Sequence, residues 1–141
     1  MDLAEVWKLK RSGKSTQNAM QTLGIPASTA SRISSDWMAM IEEPQWLALD
    51  SILPGVRQWM DAVKGSGGQL QLITARRRPE HLRPQLRNLG LESLFSWIHC
   101  VSEGSVAVAK ADCLQLTGAK LFIGDTESDA LAARTAGCSF A

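Results

Sequence analysis

Leu121-Phe122-Ile123-Gly124-Asp125-Thr126-Glu127-Ser128-Asp129 reads as a short apolar strand, a glycine, and a helix start carrying two acids four residues apart. A strand handed to a helix in this way is half of a βα unit. Asp125 falls at the strand's carboxyl end and Asp129 in the first turn of the helix. Ligands of open α/β sheets sit beyond those strand ends. Two carboxylates there suit a hard, oxygen-seeking cation, Mg²⁺ foremost. The plainer account is that Asp129 complements the helix dipole. Gly124 leaves room for a ligand to approach the backbone.

Outward from this stretch the pattern repeats. Val56–Lys64 reads as a helix entered through Leu53-Pro54-Gly55, and Leu70–Ile73 as an apolar strand after Gly65-Ser66-Gly67-Gly68. Pro79–Leu89 is a helix stopped by Gly90, Trp97–Val101 a strand, and Val106–Leu116 a helix. Leu121–Ile123 is the third strand, Glu127–Ala136 a helix stopped by Gly137, and Cys138-Ser139-Phe140 begins a fourth strand. Alternating strands and helices predict a parallel sheet. Thr74, just past the first strand, then joins Asp125 at the strand ends. A hydroxyl beside a helix start suits a phosphate oxygen, although a threonine closing a strand usually just satisfies a turn. Lys110 could neutralise a phosphoryl group or orient a nucleophilic carboxylate; alone, a lysine is ordinarily solvated.

Residues 1–50 contain no strand-like run. Leu3, Val6, Trp7 and Leu9 mark a helix ending at Arg11-Ser12-Gly13. Ser15 or Thr16 caps a second helix through Leu23, ended by Gly24. Pro26 opens a third, with Ile33, Trp37, Met40 and Ile41 on one stripe, and Pro44 closes it. Residues 15–33 resemble a helix-turn-helix whose Ser/Thr-rich second helix, with Arg32, suits DNA contacts. Acids outnumber bases six to five over residues 1–50, so no dense basic face accompanies that helix. A structural hairpin is the preferred reading.

In this order and on this framework, Thr74, Lys110, Asp125 and Asp129 resemble the motifs of the haloacid dehalogenase superfamily of phosphohydrolases. The likeness covers residues 51–141. Leu53-Pro54-Gly55-Val56 is similar to the family's re-entry from cap to core, and Leu89-Gly90-Leu91 with Phe95 to its approach to the third strand. The resemblance implies a Rossmann-like three-layer α/β core at 51–141 with a parallel sheet, and a small helical cap at 1–50. It implies phosphate binding by Thr74, Ala75 and Arg76, phosphoryl or nucleophile orientation by Lys110, and Mg²⁺ at Asp125 and Asp129. Its substrates are small phosphorylated molecules.

The family's first motif, a strand followed by DxDxT, has no counterpart, because no DxD occurs in the sequence. Asp2 and Asp50 stand in the wrong surroundings. In the family, the first Asp of that motif attacks the phosphoryl group, and its strand lies at the centre of the sheet, between those carrying Thr74 and Asp125. The expectation is a sequence that begins inside the cap and stops within its last strand. It would be an incomplete or non-catalytic phosphomonoester phosphatase, binding Mg²⁺ weakly and drawing its first strand from a partner chain or a missing segment. The alternatives are a pseudo-enzyme that binds phosphate or a protein, and a DNA-binding segment at 15–33 joined to a phosphate-binding domain.

Composition bounds these readings. The chain has 141 residues, 45% apolar, enough for one packed domain with a small appendage. A net charge of +1 excludes bulk attraction to nucleic acid or membrane. No apolar stretch approaches the length of a membrane span, and the first residues hold no apolar signal core. Cys100, Cys113 and Cys138 lack CxxC spacing, so reduced thiols and a cytoplasmic location are expected. Arg76, Arg77, Arg78, Arg83 and Arg87 form the basic cluster; Arg76 is expected to reach a substrate anion and the others to coat a solvated helix face. His99 is expected to be structural and His81 carries no assigned role. Trp7, Trp37 and Trp46 are read as core or cap residues.

Overall fold

The computed structural model describes residues 2–101 and 105–141. The chain divides between Glu43 and Pro44 into two compact units.

The first unit is helical: α1 (Leu3–Arg11), α2 (Thr16–Thr22) and α3 (Ala27–Met40). Side-chain caps set the first two starts. Asp2 accepts from the Ala4 N–H at 2.9 Å, and Ser15 from the Asn18 N–H at 3.1 Å. Gly24, at φ +84°, makes the turn before α3. Val6, Ala19, Met20 and Ala30 are buried. Trp7 meets Trp37 edge-on at 6.5 Å, and the Lys10 ammonium lies 4.8 Å and 5.6 Å from the two ring centroids.

The second unit opens with α4 (Pro44–Leu47). Pro44, expected to close the third helix, instead starts a new one, because α3 already ends at Met40 and proline is tolerated in a helix's first turn. There follow α5 (Val56–Gly65), β1 (Leu70–Ala75), α6 (Leu82–Asn88), β2 (Phe95–Val101), α7 (Val106–Thr117), β3 (Leu121–Phe122), α8 (Glu127–Ala136) and β4 (Ser139–Phe140). The helix expected over Pro79–Leu89 is split into a 3-10 turn, Pro79–His81, and α6. Pro84 sits in the first turn of α6, where a missing N–H costs no helix bond.

The unit is mixed α/β with small parallel sheets. β1 pairs with β2 from Leu70↔Phe95 to Ala75↔Val101, and β3 with β4 at Leu121↔Ser139 and Phe122↔Phe140. A three-layer parallel sheet lacking its central first strand was expected, its flanking strands either pairing directly or left open; among the described residues the strands form two separate two-stranded sheets. The reason is that β1 and β3 do not pair with each other. Two clusters pack on opposite faces of β1, as strand alternation requires. Leu70 joins Met60 and Leu94 with α5, and Ile73 packs on Ala111, Leu114 and Ala132 of α7 and α8. Among the described residues no helix is long and apolar enough to cross a membrane.

Candidate functional site

The end of β3 carries a buried ion pair. Lys110, on α7, donates from Nζ to Asp129 Oδ1 at 2.5 Å, with the two side chains 12% and 6% exposed. The other carboxylate oxygen, Oδ2, accepts from the Thr126 hydroxyl at 2.7 Å. Thr126 also caps α8, its Oγ1 accepting from the Asp129 N–H at 3.2 Å. Burial alone raises the Asp129 carboxyl's pKa; the Lys110 and Thr126 bonds outweigh it and leave the group below the usual aspartate value.

Gly124 is required for this arrangement. A Cβ there would stand 2.7 Å from Asp129 Cβ and 2.9 Å from its Oδ2. The close approach expected at Gly124 is thus made by the chain's own Asp129. Asp125 is exposed and stands outside the pair, so the two acids do not share one environment. Taken alone Lys110 would be a solvated lysine; here α7 packs along α8 and buries it against Asp129, at the strand ends where its positive charge was expected.

The end of β1 holds a second polar group. Thr74 lies inside the strand, not after it, because Thr74 and Ala75 extend the ladder opposite Cys100 and Val101. Arg76 follows. Its Nη2 donates to Gln85 Oε1 at 3.0 Å, and Gln85 Nε2 donates to Asp50 Oδ2 at 2.5 Å. Gln85 is only 8% exposed. Arg76 is therefore oriented by neighbours and not a free surface cation. Arg83 and Arg87 lie on a solvated face, as expected, and both bond Glu92 there, at 3.0 and 2.7 Å. Those arginine bonds hold the Glu92 carboxyl below its ordinary pKa, Arg87 contributing most.

His99 stacks on Trp97 at 4.8 Å within β2, a packing role. Trp7 and Trp37 pack on one another, while Trp46 lies half-exposed on α4. Cys113 and Cys138 are free thiols; burial, then the neighbouring Asp112, pushes the Cys113 thiol's pKa up. Sequence reading missed Thr126, Gln85 and the part played by Asp50. Thr126 was detectable: Thr126-Glu127-Ser128-Asp129 is a T-x-x-D capping signature at a strand-to-helix junction.

No family model and no curated protein matches the chain. Among solved structures it is similar to a hydrolase from Streptococcus pneumoniae TIGR4. That match has 16% identity and a TM-score of 0.67, and covers 100% of this chain and 74% of the other. The chain therefore has the fold of that hydrolase, and the likeness extends over both units.

Proposed function

We propose that the chain is a phosphate-binding domain of haloacid dehalogenase type, belonging to the phosphomonoester phosphatases but lacking the carboxylate that would attack phosphorus. The observation that carries this reading is the Lys110–Asp129–Thr126 group at the end of a parallel strand, on a fold shared with a hydrolase. In the proposal, Thr74, Ala75 and Arg76 bind the phosphate of a small phosphorylated substrate. The Gln85–Asp50 pair holds Arg76 in one orientation for it. Lys110, paired with Asp129, presents positive charge at the strand ends.

The donor set tests the place of Mg²⁺. Among the described residues no group of three His, Cys, Asp or Glu is arranged around a metal. Both Asp129 oxygens are engaged by Lys110 and Thr126, which leaves Asp125 as the available carboxylate. That fits a largely hydrated Mg²⁺ held weakly by Asp125. When bound, the ion would offset charge on a phosphate.

The test is a pair of measurements on the full chain. Inorganic phosphate should raise the melting temperature, and Thr74→Val and Arg76→Gln should each weaken that response about ten-fold in affinity. p-Nitrophenyl phosphate should not be turned over, because none of these residues supplies a nucleophile. Mg²⁺-dependent turnover abolished by Asp125→Ala would overturn the non-catalytic part. An absent phosphate response would overturn the binding part.

A further inference from the structure

Two tryptophans of the helical unit form a corner. Trp7 on α1 and Trp37 on α3 stand 6.5 Å apart with their ring planes at 78°. The Lys10 ammonium sits in that corner, 4.8 Å from the Trp7 centroid and 5.6 Å from the Trp37 centroid. Both distances lie within the roughly 6 Å reach of a cation–π contact. Trp7 keeps 47% of its surface exposed, so the corner is open to solvent. Helix spacing alone brings Lys10 beside Trp7, three residues before it on α1. It does not account for Trp37, which comes to the same ammonium from a different helix.

The corner favours positive charge, and Lys10 is a replaceable occupant of it. Lys10 lies in the last turn of α1 and Trp37 in the last turn of α3. Helix carboxyl ends carry partial negative charge and stabilise cations. Among the described residues no hydrogen bond or ion pair ties the Lys10 ammonium in place. A primary ammonium is a compact, strongly hydrated charge and gives up part of its water to sit on a ring. A trimethylammonium head spreads the same charge over methyl groups. These shed water readily and can touch both ring faces at once.

We propose that the Trp7–Trp37 corner binds a trimethylammonium group, with Lys10 as the built-in competitor that the ligand displaces. A free small molecule such as choline and a trimethylated lysine of another protein present the same head to the rings. The site lies wholly within the first unit, and the proposal is independent of the phosphate reading.

The test titrates the full chain with choline chloride at constant ionic strength and follows the tryptophan indole N–H signals by NMR. Millimolar affinity is expected, with shifts at Trp7 and Trp37 and none at Trp59 or Trp97. Neohexanol, which has choline's shape without its charge, should bind about ten-fold more weakly. Lys10→Ala removes the competitor and should tighten choline binding about three-fold, whereas Lys10→Arg keeps the corner filled and should bind no tighter than the parent. Trp37→Leu removes one wall and should weaken binding about ten-fold, and Trp37→Phe about three-fold. Far-UV circular dichroism checks these variants; should Trp37→Leu unfold, Lys10→Ala and the comparison with neohexanol decide. An acetylated, amidated Ser-Lys-Ser peptide trimethylated on its lysine separates the sources. Tighter binding of the peptide than of choline assigns a protein-borne group, the reverse a free one, and either supports the site. No shift at Trp7 and Trp37 with either probe at about 100 mM, or equal binding of neohexanol, would overturn the proposal. So would an unchanged affinity in folded Trp37→Leu or in Lys10→Ala.

Discussion

The β1–β2 and β3–β4 pairs are held in place by different forces. β1–β2 has six register pairs and a side-chain cluster of its own around Met60, Leu70 and Leu94. β3–β4 has two register pairs, too few to position a strand by backbone bonds alone. Its place is set by α7 and α8, which meet through Ala111, Leu114 and Ala132. The Lys110–Asp129 pair then joins the start of α8 to α7. Where the ladder is long, the polar residues at its end, Thr74 and Arg76, are spared a structural duty to the sheet. Where the ladder is short, the polar group is part of what holds the strand end together.

The sharpest way to break this contrast is Lys110→Met. It leaves Asp129 buried without its counter-charge, and should cost about 3–5 kcal/mol by denaturant unfolding. A loss below about 1 kcal/mol would remove the structural duty assigned to the pair. The pH dependence has a definite sign. The folded Asp129 pKa lies below its ordinary 3.8, so its contribution is complete above that pH and fades as pH falls through the lower folded value. Acid melts of the parent chain should show this loss, and those of Lys110→Met should show less of it.

Leu70→Ala, on the other side of the comparison, should cost about 2–4 kcal/mol by opening a cavity against Met60 and Leu94. Its hydrogen-exchange footprint should centre on β1 and β2. An equal loss of protection along α7 and α8 would show that the two halves do not separate energetically. A smaller effect belongs to Mg²⁺: at ten-fold excess over its Kd it should stabilise by about 1.4 kcal/mol, lost in Asp125→Asn. Thermal melts at constant ionic strength measure this, and equal shifts in the two proteins would take Asp125 out of metal binding. The smallest change is expected for Glu92→Gln. Its arginine partners are more than half exposed, so any shift in melting temperature should vanish in high salt.

Much of the element order could be read from local signals. Glu127–Ala136 is bounded as expected because Thr126 caps it and Gly137 ends it at φ +72°. The end of β1 could not be read this way, because Thr74 and Ala75 are strand residues only through their partners on β2. The separation into two sheets was partly legible: the absent first motif left the strands carrying Thr74 and Asp125 without the strand between them, but alternation along the chain could not say whether their edges meet. At the candidate site, Lys110, Asp129 and Thr74 are chemically conspicuous side chains. Gln85 is not, and its link to Asp50 spans 35 residues, a distance no motif covers. The burial of Lys110 was not legible, because a helix gives no sign of which neighbour will pack on it.

The pairing pattern also bears on how the chain folds. In each sheet the two strands are consecutive in sequence, joined through a single crossover: α6 for β1–β2 and α8 for β3–β4. Neither sheet must wait for a distant part of the chain before its first backbone bonds form, and loop-closure cost rises only slowly with the short lengths involved. The late event is then the docking of α7 onto β1, which brings Ile73 against Ala111 and Leu114. Side chains at that contact belong in the last step of folding, and truncating them should speed unfolding far more than it slows refolding.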